Sequence, residues 1–201
     1  MAIPGLYKFC DEWHKTGTVW LYSDPHFGDP DLPNRPSADE QVKMINAKCG
    51  KNDTLILLGD VGDLSYVPKL RARYKVLVMG NHDAGRTNYE RKVDENGVDN
   101  RLFDEVYEGV LVIAEKLILS HEPVDVPWAF NIHGHVHATA GRKNDKRHFN
   151  CCADAINFTP INFNQWMKQG YLSRIETIHR QTIDSAIVRK RKRGGKKIGE
   201  K

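Results

Sequence analysis

The sequence predicts an α/β fold with a parallel sheet in its first half and a strand-rich second half. In the first half, short apolar segments of branched residues alternate with helical connections, as they do in parallel sheets. In the second half the apolar segments follow one another closely, with few helices between them. Polar groups rich in Asp and His come directly after several of these segments, which is where open α/β sheets usually carry their sites.

Three buried strands are predicted in the first half, at residues 18–23, 54–58 and 74–79. Residues 39–49 lie between the first two strands and carry apolar side chains at helical spacing, and Ser37 is a suitable N-cap for this helix. The alternation of strands and connections favours parallel pairing of the three strands.

Strands in the second half are predicted at residues 106–114, 116–120, 130–133 and 147–152. Glu115 and Lys116 are predicted to form a tight connection between the first two. Residues 162–182 are predicted to form a terminal helix or a pair of helices, interrupted at Gly170.

Length and composition are those of a single domain with a real core. A chain of 201 residues with 40% apolar residues can cover a sheet of several strands. No apolar run is long enough to span a bilayer, and the first residues lack the apolar core of a signal peptide. The four cysteines have neither metal-finger spacing nor a disulfide pattern. These features predict a cytoplasmic protein with no membrane partner.

The last residues form a basic segment, from Arg189 to Lys201. Its eight basic residues and one acid give it a charge of +7, and since the whole chain carries +4, the remainder carries −3. Such a charge run is expected to be disordered, so the predicted organisation is a folded domain at residues 1–188 and a tail at 189–201. Two interpretations of the tail stay open: contact with nucleic acid or another acidic surface, or a solvated segment that only aids solubility.

Five polar groups follow predicted strands in order along the chain. They are expected to bring two or three Asp, one Asn and at least five His to one edge of a sheet, and they are Asp24-Pro25-His26, Gly59-Asp60-Val61-Gly62-Asp63, Gly80-Asn81-His82-Asp83, Ser120-His121 and Gly134-His135-Val136-His137. Carboxylate, amide and imidazole ligands without thiolate suit divalent Mn, Fe, Zn, Co or Ni. There are enough ligands for two ions, so the series indicates a dinuclear metallohydrolase.

Each group also has an ordinary structural interpretation when it is taken alone. The glycine-led groups can be turns, and a single His is more often packed in a core than bound to a metal. The ordered set of five is what favours the metal site. Competing motifs fail: the sequence has no phosphate-binding glycine loop and no nucleophile elbow, and after His121 a His-Glu-x-x-His helix is excluded by Pro123 and Asp125.

The five groups resemble the signature of the calcineurin-like metallophosphoesterases at every ligand type. The segment Asp24-Pro25-His26-Phe27-Gly28-Asp29 is similar to the Asp-x-His-Phe-Gly motif of the small phage and bacterial branch, and Asn150-Cys151-Cys152-Ala153-Asp154 followed by Pro160 resembles that branch's closing strand. The resemblance extends from about Val19 to about Trp166. It implies an α/β sandwich of two packed mixed β-sheets flanked by helices.

The resemblance also implies a set of ligands for two divalent metal ions. Mn is the ion expected first, with Fe, Zn, Ni or Co as alternatives. A hydroxide held between the ions would attack phosphorus in line, without a phosphorylated enzyme. The implied ligands are Asp24, His26 and His137 for the first ion, Asn81, His121 and His135 for the second, and Asp60 for both.

Two further residues receive catalytic roles from the resemblance. His82 is expected to contact the phosphate and to help the leaving oxygen depart, and Asp83 is expected to orient His82 and raise its basicity. Asp63 is expected just behind the metal ligands, and His133 is expected in the core. Pro25 is expected to hold the residue before it extended at the strand end.

The leading hypothesis is a two-metal phosphoester hydrolase that acts on diesters, monoesters or both. Few residues separate the motifs, so little material is left for a cap domain, and the groove is expected to admit extended substrates such as nucleic-acid ends. Two alternatives stay open. One is a nucleic-acid-binding or processing protein directed by the tail, and the other is a metal-binding scaffold without turnover.

Overall fold

The structure, a computed structural model, describes Trp13 and residues 17–83, 102–114, 116–139 and 144–176. Within these residues the chain forms two β-sheets and few helices. The strands are β1 (Val19–Tyr22), β2 (Thr54–Leu57), β3 (Tyr74–Val78), β4 (Glu105–Tyr107), β5 (Leu111–Ala114), β6 (Leu117–Ser120), β7 (Phe130–His133), β8 (His148–Asn150) and β9 (Ile161–Asn162). The helices are α1 (Ala38–Lys48), α2 (Phe163–Lys168) and the 3₁₀ helices Leu64–Lys69 and Tyr171–Arg174. The predicted basic tail at residues 189–201 and the predicted connection at Glu115 lie outside the described residues.

Both sheets mix parallel and antiparallel pairs. The first sheet has the strand order β4-β3-β2-β1-β9 and the second has the order β5-β6-β7-β8. Strands β1 to β4 are parallel, and β9 runs antiparallel to β1. In the second sheet β6, β7 and β8 are parallel, and β5 is antiparallel to β6. The prediction of two mixed sheets is therefore confirmed, as is the parallel pairing of the first three strands.

The first sheet is buried on both faces, which explains the unbroken apolar character of its strands. On one face, Val19 and Ile56 share a core cluster with Leu119 of the second sheet, so the two sheets pack face to face. On the other face, Leu57 packs with Ile45 of α1. The sandwich holds the ends of strands from both sheets close together.

Helix α1 begins at the N-cap Ser37, as predicted. The Ser37 hydroxyl accepts a hydrogen bond from the Glu40 amide at 3.3 Å, and the Glu40 carboxylate accepts one from the Ser37 amide at 2.8 Å. This reciprocal capping box satisfies amides that a helix terminus would otherwise leave unpaired.

The prediction of a single strand at residues 106–114 is wrong. The chain forms two strands there, β4 and β5, and each belongs to a different sheet. Apolar residues on both sides of Glu108 and Gly109 suggest one strand, but the chain breaks at Gly109, and Val110 beside it is 53% exposed. Val110 lies between the two strands, at the point where the chain crosses from one sheet to the other.

The terminal helix is shorter than predicted within the described residues. Helix α2 ends at Lys168, and Gly170, with a φ of 76°, leads into the second 3₁₀ helix. The remainder of the predicted helix, residues 177–182, lies outside the described ranges. Across those ranges, no helix combines the length and apolar character needed to cross a membrane.

Candidate metal centre

The five polar groups meet at one edge of the sandwich, where β1, β2, β3, β6 and β7 end. Backbone hydrogen bonds join the loops directly: the Asp24 amide donates to the Gly59 carbonyl at 3.0 Å, and the Gly134 amide donates to the His121 carbonyl at 2.9 Å. This edge therefore collects side chains from both sheets, as expected for strands that run parallel.

One group of candidate ligand atoms contains Asp24 Oδ1, His26 Nε2 and His137 Nε2. Asp24 Oδ1 lies 4.0 Å from His26 Nε2 and 3.9 Å from His137 Nε2. Asp60 Oδ2 lies 3.6 Å from His26 Nε2. These separations are too long for hydrogen bonds. Asp24, His26 and Asp60 have the ligand atoms and the spacing that a metal ion needs.

A second group contains Asn81 Oδ1, His121 Nε2 and His135 Nδ1. The asparagine oxygen lies 2.8 Å from His121 Nε2 and 3.0 Å from His135 Nδ1, and the two ring nitrogens are 3.1 Å apart. Asp60 Oδ2 lies 3.4 Å from His121 Nε2. Asp60, His121 and His135 also meet the spacing for a metal site.

Asp60 belongs to both groups. Its Oδ1 accepts a hydrogen bond from the His82 amide at 2.9 Å, which fixes the orientation of the carboxylate. Its Oδ2 is then the atom that faces His26 on one side and His121 on the other. A single oxygen thus connects the two groups.

The chemistry of these atoms fits divalent cations. Asp24 Oδ1 and His26 Nε2 are buried and have no hydrogen-bond partner within the part of the chain that the structure describes. The Nδ1 of His121 lies 2.8 Å from the Leu58 carbonyl, which only accepts, so the ring proton belongs on Nδ1 and Nε2 presents a lone pair to Asn81 Oδ1. Buried lone pairs that face one another are costly unless a cation lies between them.

His26 is held in the tautomer that a metal ligand needs. Its Nδ1 lies 3.0 Å from Asp29 Oδ2, so this carboxylate keeps the ring proton on Nδ1 and leaves Nε2 facing Asp24 and Asp60. Burial lowers the pKa of His26, although the charges of Asp24 and Asp60 oppose the shift. The neutral ring, which can bind a metal, is favoured.

His137 has the same kind of support from Asp154. Its Nδ1 lies 3.4 Å from Asp154 Oδ2, and the hydrogen bond to this carboxylate raises the pKa of His137. Burial acts to raise the pKa of Asp154, but hydrogen bonds from His137 and the Ala138 amide, together with the charge of Arg35, lower it to about 2. Asp154 is therefore a carboxylate that can hold the Nδ1 proton and leave Nε2 as a ligand.

Arg35 is a buried cation behind this part of the centre. Its side chain is 8% exposed, it donates to the Asp24 carbonyl at 2.8 Å, and it lies 3.5 Å from Asp154 Oδ1. It also lies 3.4 Å from His137 Nδ1. A guanidinium only donates, so the acceptor for a proton on His137 Nδ1 is the Asp154 carboxylate rather than Arg35.

The second oxygen of Asp24 is fully engaged. Asp24 Oδ2 lies 2.5 Å from Ser23 Oγ, 2.9 Å from the His135 amide and 3.2 Å from Cys152 Sγ. Burial, followed by the charge of Asp24, raises the pKa of the Cys152 thiol well above its usual range, so this thiol donates to the carboxylate. With Oδ2 anchored, Oδ1 is the oxygen that faces His26 and His137.

Asp83 fastens two loops of the centre. Its carboxylate, which is fully buried, accepts hydrogen bonds from the amides of Asp60 at 2.7 Å, Gly80 at 2.9 Å and Val61 at 3.2 Å. These bonds place the Asp60 turn beside the turn that carries Asn81. The expected effect of Asp83 on the basicity of His82 stays a prediction.

His82 is exposed at the mouth of the centre. Its ring meets the ring of His26 edge to face, with centroids 5.4 Å apart. Its backbone amide donates to Asp60 Oδ1. The side chain is thus beside the first group of ligand atoms and open to a substrate.

Five of the candidate ligands have a left-handed backbone. Their φ angles are 53° for Asp24, 42° for His26, 52° for Asp60, 68° for His135 and 49° for His137. Such angles are unfavourable for residues other than glycine and cluster at functional sites. The expectation that Pro25 holds Asp24 extended is therefore wrong, because the backbone of Asp24 is left-handed.

Two other expectations have different outcomes. Asp63 is exposed and caps the first 3₁₀ helix, where its Oδ1 accepts a hydrogen bond from the Ser65 amide at 2.9 Å, so it is not behind the ligands. His133 is fully buried, and its Nδ1 lies 2.8 Å from the Gly134 carbonyl, which agrees with the expected core position.

Sequence reasoning missed several supporting residues: Ser23, Asp29, Arg35, Cys152 and Asp154. Asp29 had a signal, since it follows His26 by three residues within the first motif. Asp154 had one as well, since it ends the segment Asn150-Cys151-Cys152-Ala153-Asp154 that carries part of the resemblance. Arg35 had none, because its partners His137 and Asp154 lie far away along the chain.

Comparison with known proteins agrees with this fold. The family model described as calcineurin-like phosphoesterase matches residues 17–184. The chain is similar to the structure of a protein of unknown function from Aquifex aeolicus, AQ665, with 23% identity and a TM-score of 0.58 over 76% of this chain and 98% of that one. It is also similar to the nuclease MPE of Pseudomonas putida, with 24% identity and a TM-score of 0.40 over 59% of this chain and 60% of that one. A search of curated protein sequences found no match.

The family match extends over most of the chain, and both the two-sheet fold and the candidate ligands lie within it. Members of this family use divalent metals to act on phosphoesters. The chain therefore belongs to the calcineurin-like phosphoesterases.

Proposed function

We propose that the protein is a phosphoester hydrolase that works with two divalent cations. The observation that carries the proposal is the position of Asp60 Oδ2, which lies 3.6 Å from His26 Nε2 and 3.4 Å from His121 Nε2. Two groups of ligands joined through one carboxylate oxygen are what a pair of closely spaced cations requires.

In this proposal each group of ligands holds one cation. Oxygen and imidazole ligands suit Mn first, with Fe, Zn, Ni or Co as alternatives. When bound, such a pair activates a water molecule for in-line attack on phosphorus and takes charge from the phosphoryl oxygens. The proposed ligands are Asp24, His26 and His137 for the first cation, Asn81, His121 and His135 for the second, and Asp60 for both.

His82 is the proposed proton donor to the leaving oxygen. Its exposed ring stands beside His26, which is where a phosphoryl group held at the centre would present its ester oxygen. Asp83 serves as a positioning residue, because its hydrogen bonds to the Asp60 and Gly80 amides hold together the loops that carry the ligands. A metal-binding scaffold without turnover would not need an exposed His at this place.

The test is hydrolysis of bis-p-nitrophenyl phosphate and p-nitrophenyl phosphate by metal-stripped protein reloaded with Mn. We expect turnover only with metal, and at least a hundredfold loss of kcat in His82→Ala, a typical contribution of roughly 10²–10⁴ for general acid catalysis. Asp60→Asn is expected to lose turnover together with bound Mn. The ratio of diester to monoester turnover defines the substrate class.

A protein that binds two Mn ions but hydrolyses neither ester with Mn, Ni, Co or Zn would contradict the proposal and favour the scaffold. Truncation before Arg189 distinguishes the phosphoester hydrolase from the remaining alternative, a nucleic-acid-binding protein directed by the tail. Loss of nucleic-acid binding with unchanged turnover of small esters would assign binding to the tail and hydrolysis to the centre.

A further inference from the structure

A cavity of about 330 Å³ adjoins the metal centre on the side of the second ligand group. It lies where the chain leaves β3, β4 and β6, between the edges of the two sheets. Asn81 and His121 line both the cavity and the centre. A phosphoryl group held at the cation that these two residues are proposed to bind would therefore be able to direct one of its ester groups into the cavity.

The wall of the cavity away from the centre is largely apolar. Val110, Met79 and Val124 line it, and Val110 is 53% exposed to solvent. Pockets for small molecules are usually apolar, with a few polar groups that fix orientation. Here Asn81 and His121 supply the polar end, and the valines and methionine supply the apolar end.

The charge of the cavity is negative. Glu108 and Glu122 line it and are both exposed, and no Lys or Arg lines it among the residues that the structure describes. A second phosphate or a carboxylate placed there would meet two like charges and no counter-charge from the described residues. An uncharged group would contact the apolar wall without this repulsion.

We propose that this cavity receives the uncharged, apolar or aromatic organic group of the phosphoester and selects against substrates that carry a further negative charge at that end. This subsite rests on the proposed function only in that the phosphoryl group is held at the cation that Asn81 and His121 are proposed to bind. It narrows the substrate class to phosphoesters with an organic ester group of this kind on the Val110 side.

The test measures binding rather than turnover, with phosphonates that cannot be hydrolysed. Isothermal titration of the Mn-loaded full chain compares 1-naphthylphosphonate with methylphosphonate. We expect the naphthyl compound to bind at least tenfold more tightly, because its ring is removed from water against Val110. In Val110→Asn this ratio should fall at least threefold, while affinity for methylphosphonate stays within twofold. Met167→Asn, which changes another exposed apolar residue on α2, should leave the ratio unchanged.

A second comparison tests the charge of the cavity. The wild type is expected to bind phenylphosphonate at least fivefold more tightly than 4-carboxyphenylphosphonate, and a Glu108→Gln, Glu122→Gln double variant should reduce this difference to within twofold. The discrimination should weaken at high salt, since both carboxylates are exposed.

Equal affinity of the wild type for the naphthyl and methyl compounds would overturn the inference. So would an unchanged ratio in Val110→Asn, or no binding of either phosphonate. Failure of the proposed hydrolysis can be distinguished from failure of the subsite. A protein that hydrolyses no ester but prefers the naphthyl compound in a way that depends on Val110 would keep the proposed subsite and contradict only the proposed enzymatic activity.

Discussion

At the residue scale, the ring nitrogen that faces away from the metal centre decides what the other nitrogen can do. His26 and His137 each present Nε2 to the centre, while Nδ1 meets Asp29 in one case and Asp154 in the other. A carboxylate in this position fixes the ring and makes it a stronger ligand. The centre therefore includes Asp29 and Asp154, which support the candidate ligands, as well as the ligands themselves.

Replacing Asp154 by Asn tests this support. The change keeps the shape of the side chain but removes the charge that holds the Nδ1 proton, so affinity for Mn in the first ligand group should fall about 10–100-fold. Titration against a competing chelator would measure the loss. The matched control is Asp145→Asn, because Asp145 contacts His148 Nδ1 at 2.9 Å at the start of β8, away from the ligands.

Equal losses of Mn affinity in the two variants would show a general effect of removing a His–Asp contact rather than a role at the centre. An unchanged affinity for Mn in Asp154→Asn would show that Asp154 does not support metal binding.

At the scale of the element, the loops after the strands hold several candidate ligands at positive φ angles, which strands do not adopt. Glycines in these loops allow neighbouring loops to approach closely. A Cβ on Gly80 would collide with Asp60 Oδ1 and lie 2.7 Å from the Asp60 amide and 2.9 Å from His121 Cε1. The glycine before Asn81 is thus required by the close approach of the second and third loops.

Gly80→Ala is therefore expected to displace Asp60 and to destabilise the fold. Overpacking of this kind costs about 1–3 kcal/mol of unfolding free energy, which a urea titration would measure. Bound Mn should fall in the same variant. Gly109→Ala is the control, since a Cβ there meets nothing within 4 Å. A stable Gly80→Ala protein with full Mn content would show that the loops separate easily.

The elements differ in how well the sequence predicts them. Strands β1, β2 and β3 were predictable to within a residue or two at each end because both faces of their sheet are covered, so the apolar runs are unbroken. The break between β4 and β5 was not, because apolar residues on both sides of Gly109 hide a change of sheet that depends on tertiary packing. The left-handed φ angles of the ligands were also not predicted, because Asp and His adopt such angles more often than most residues do, but still only in a small minority of cases.

At the scale of the whole molecule, the centre exists only when the two sheets are packed together. Asp24, Asp60 and Asn81 follow strands of the first sheet, and His121 and His135 follow strands of the second. The order of motifs predicted this meeting, because parallel strands bring their ends to one edge. Contacts such as that between Arg35 and Asp154 were not predictable, since they join segments that are distant in sequence and whose neighbours are set by the fold.

Removal of metal should therefore weaken the whole fold. The buried lone pairs at Asp24 Oδ1 and His26 Nε2 would lose their cation. The link that shared cations would make between ligands of the two sheets would be lost as well. Mn at a hundred times its Kd should stabilise the protein by about 2.7 kcal/mol for each site. Thermal unfolding with EDTA and with added Mn measures the difference.

Asp60→Asn serves as the comparison for this stabilisation. It should show a much smaller rise in Tm on addition of Mn, because it weakens both ligand groups at once. A Tm that does not respond to Mn in the wild type would contradict the structural role of the cations.

The most direct test of the central claim is the Mn content and electron paramagnetic resonance spectrum of the reloaded wild type beside Asp60→Asn. If Asp60 Oδ2 joins two cations, the wild type will bind two Mn per chain and give the multiline spectrum of a magnetically coupled pair, and Asp60→Asn will lose that spectrum. One Mn per chain, or two that give only the six-line signal of isolated ions in the wild type, would contradict the claim that one carboxylate oxygen bridges a dinuclear centre.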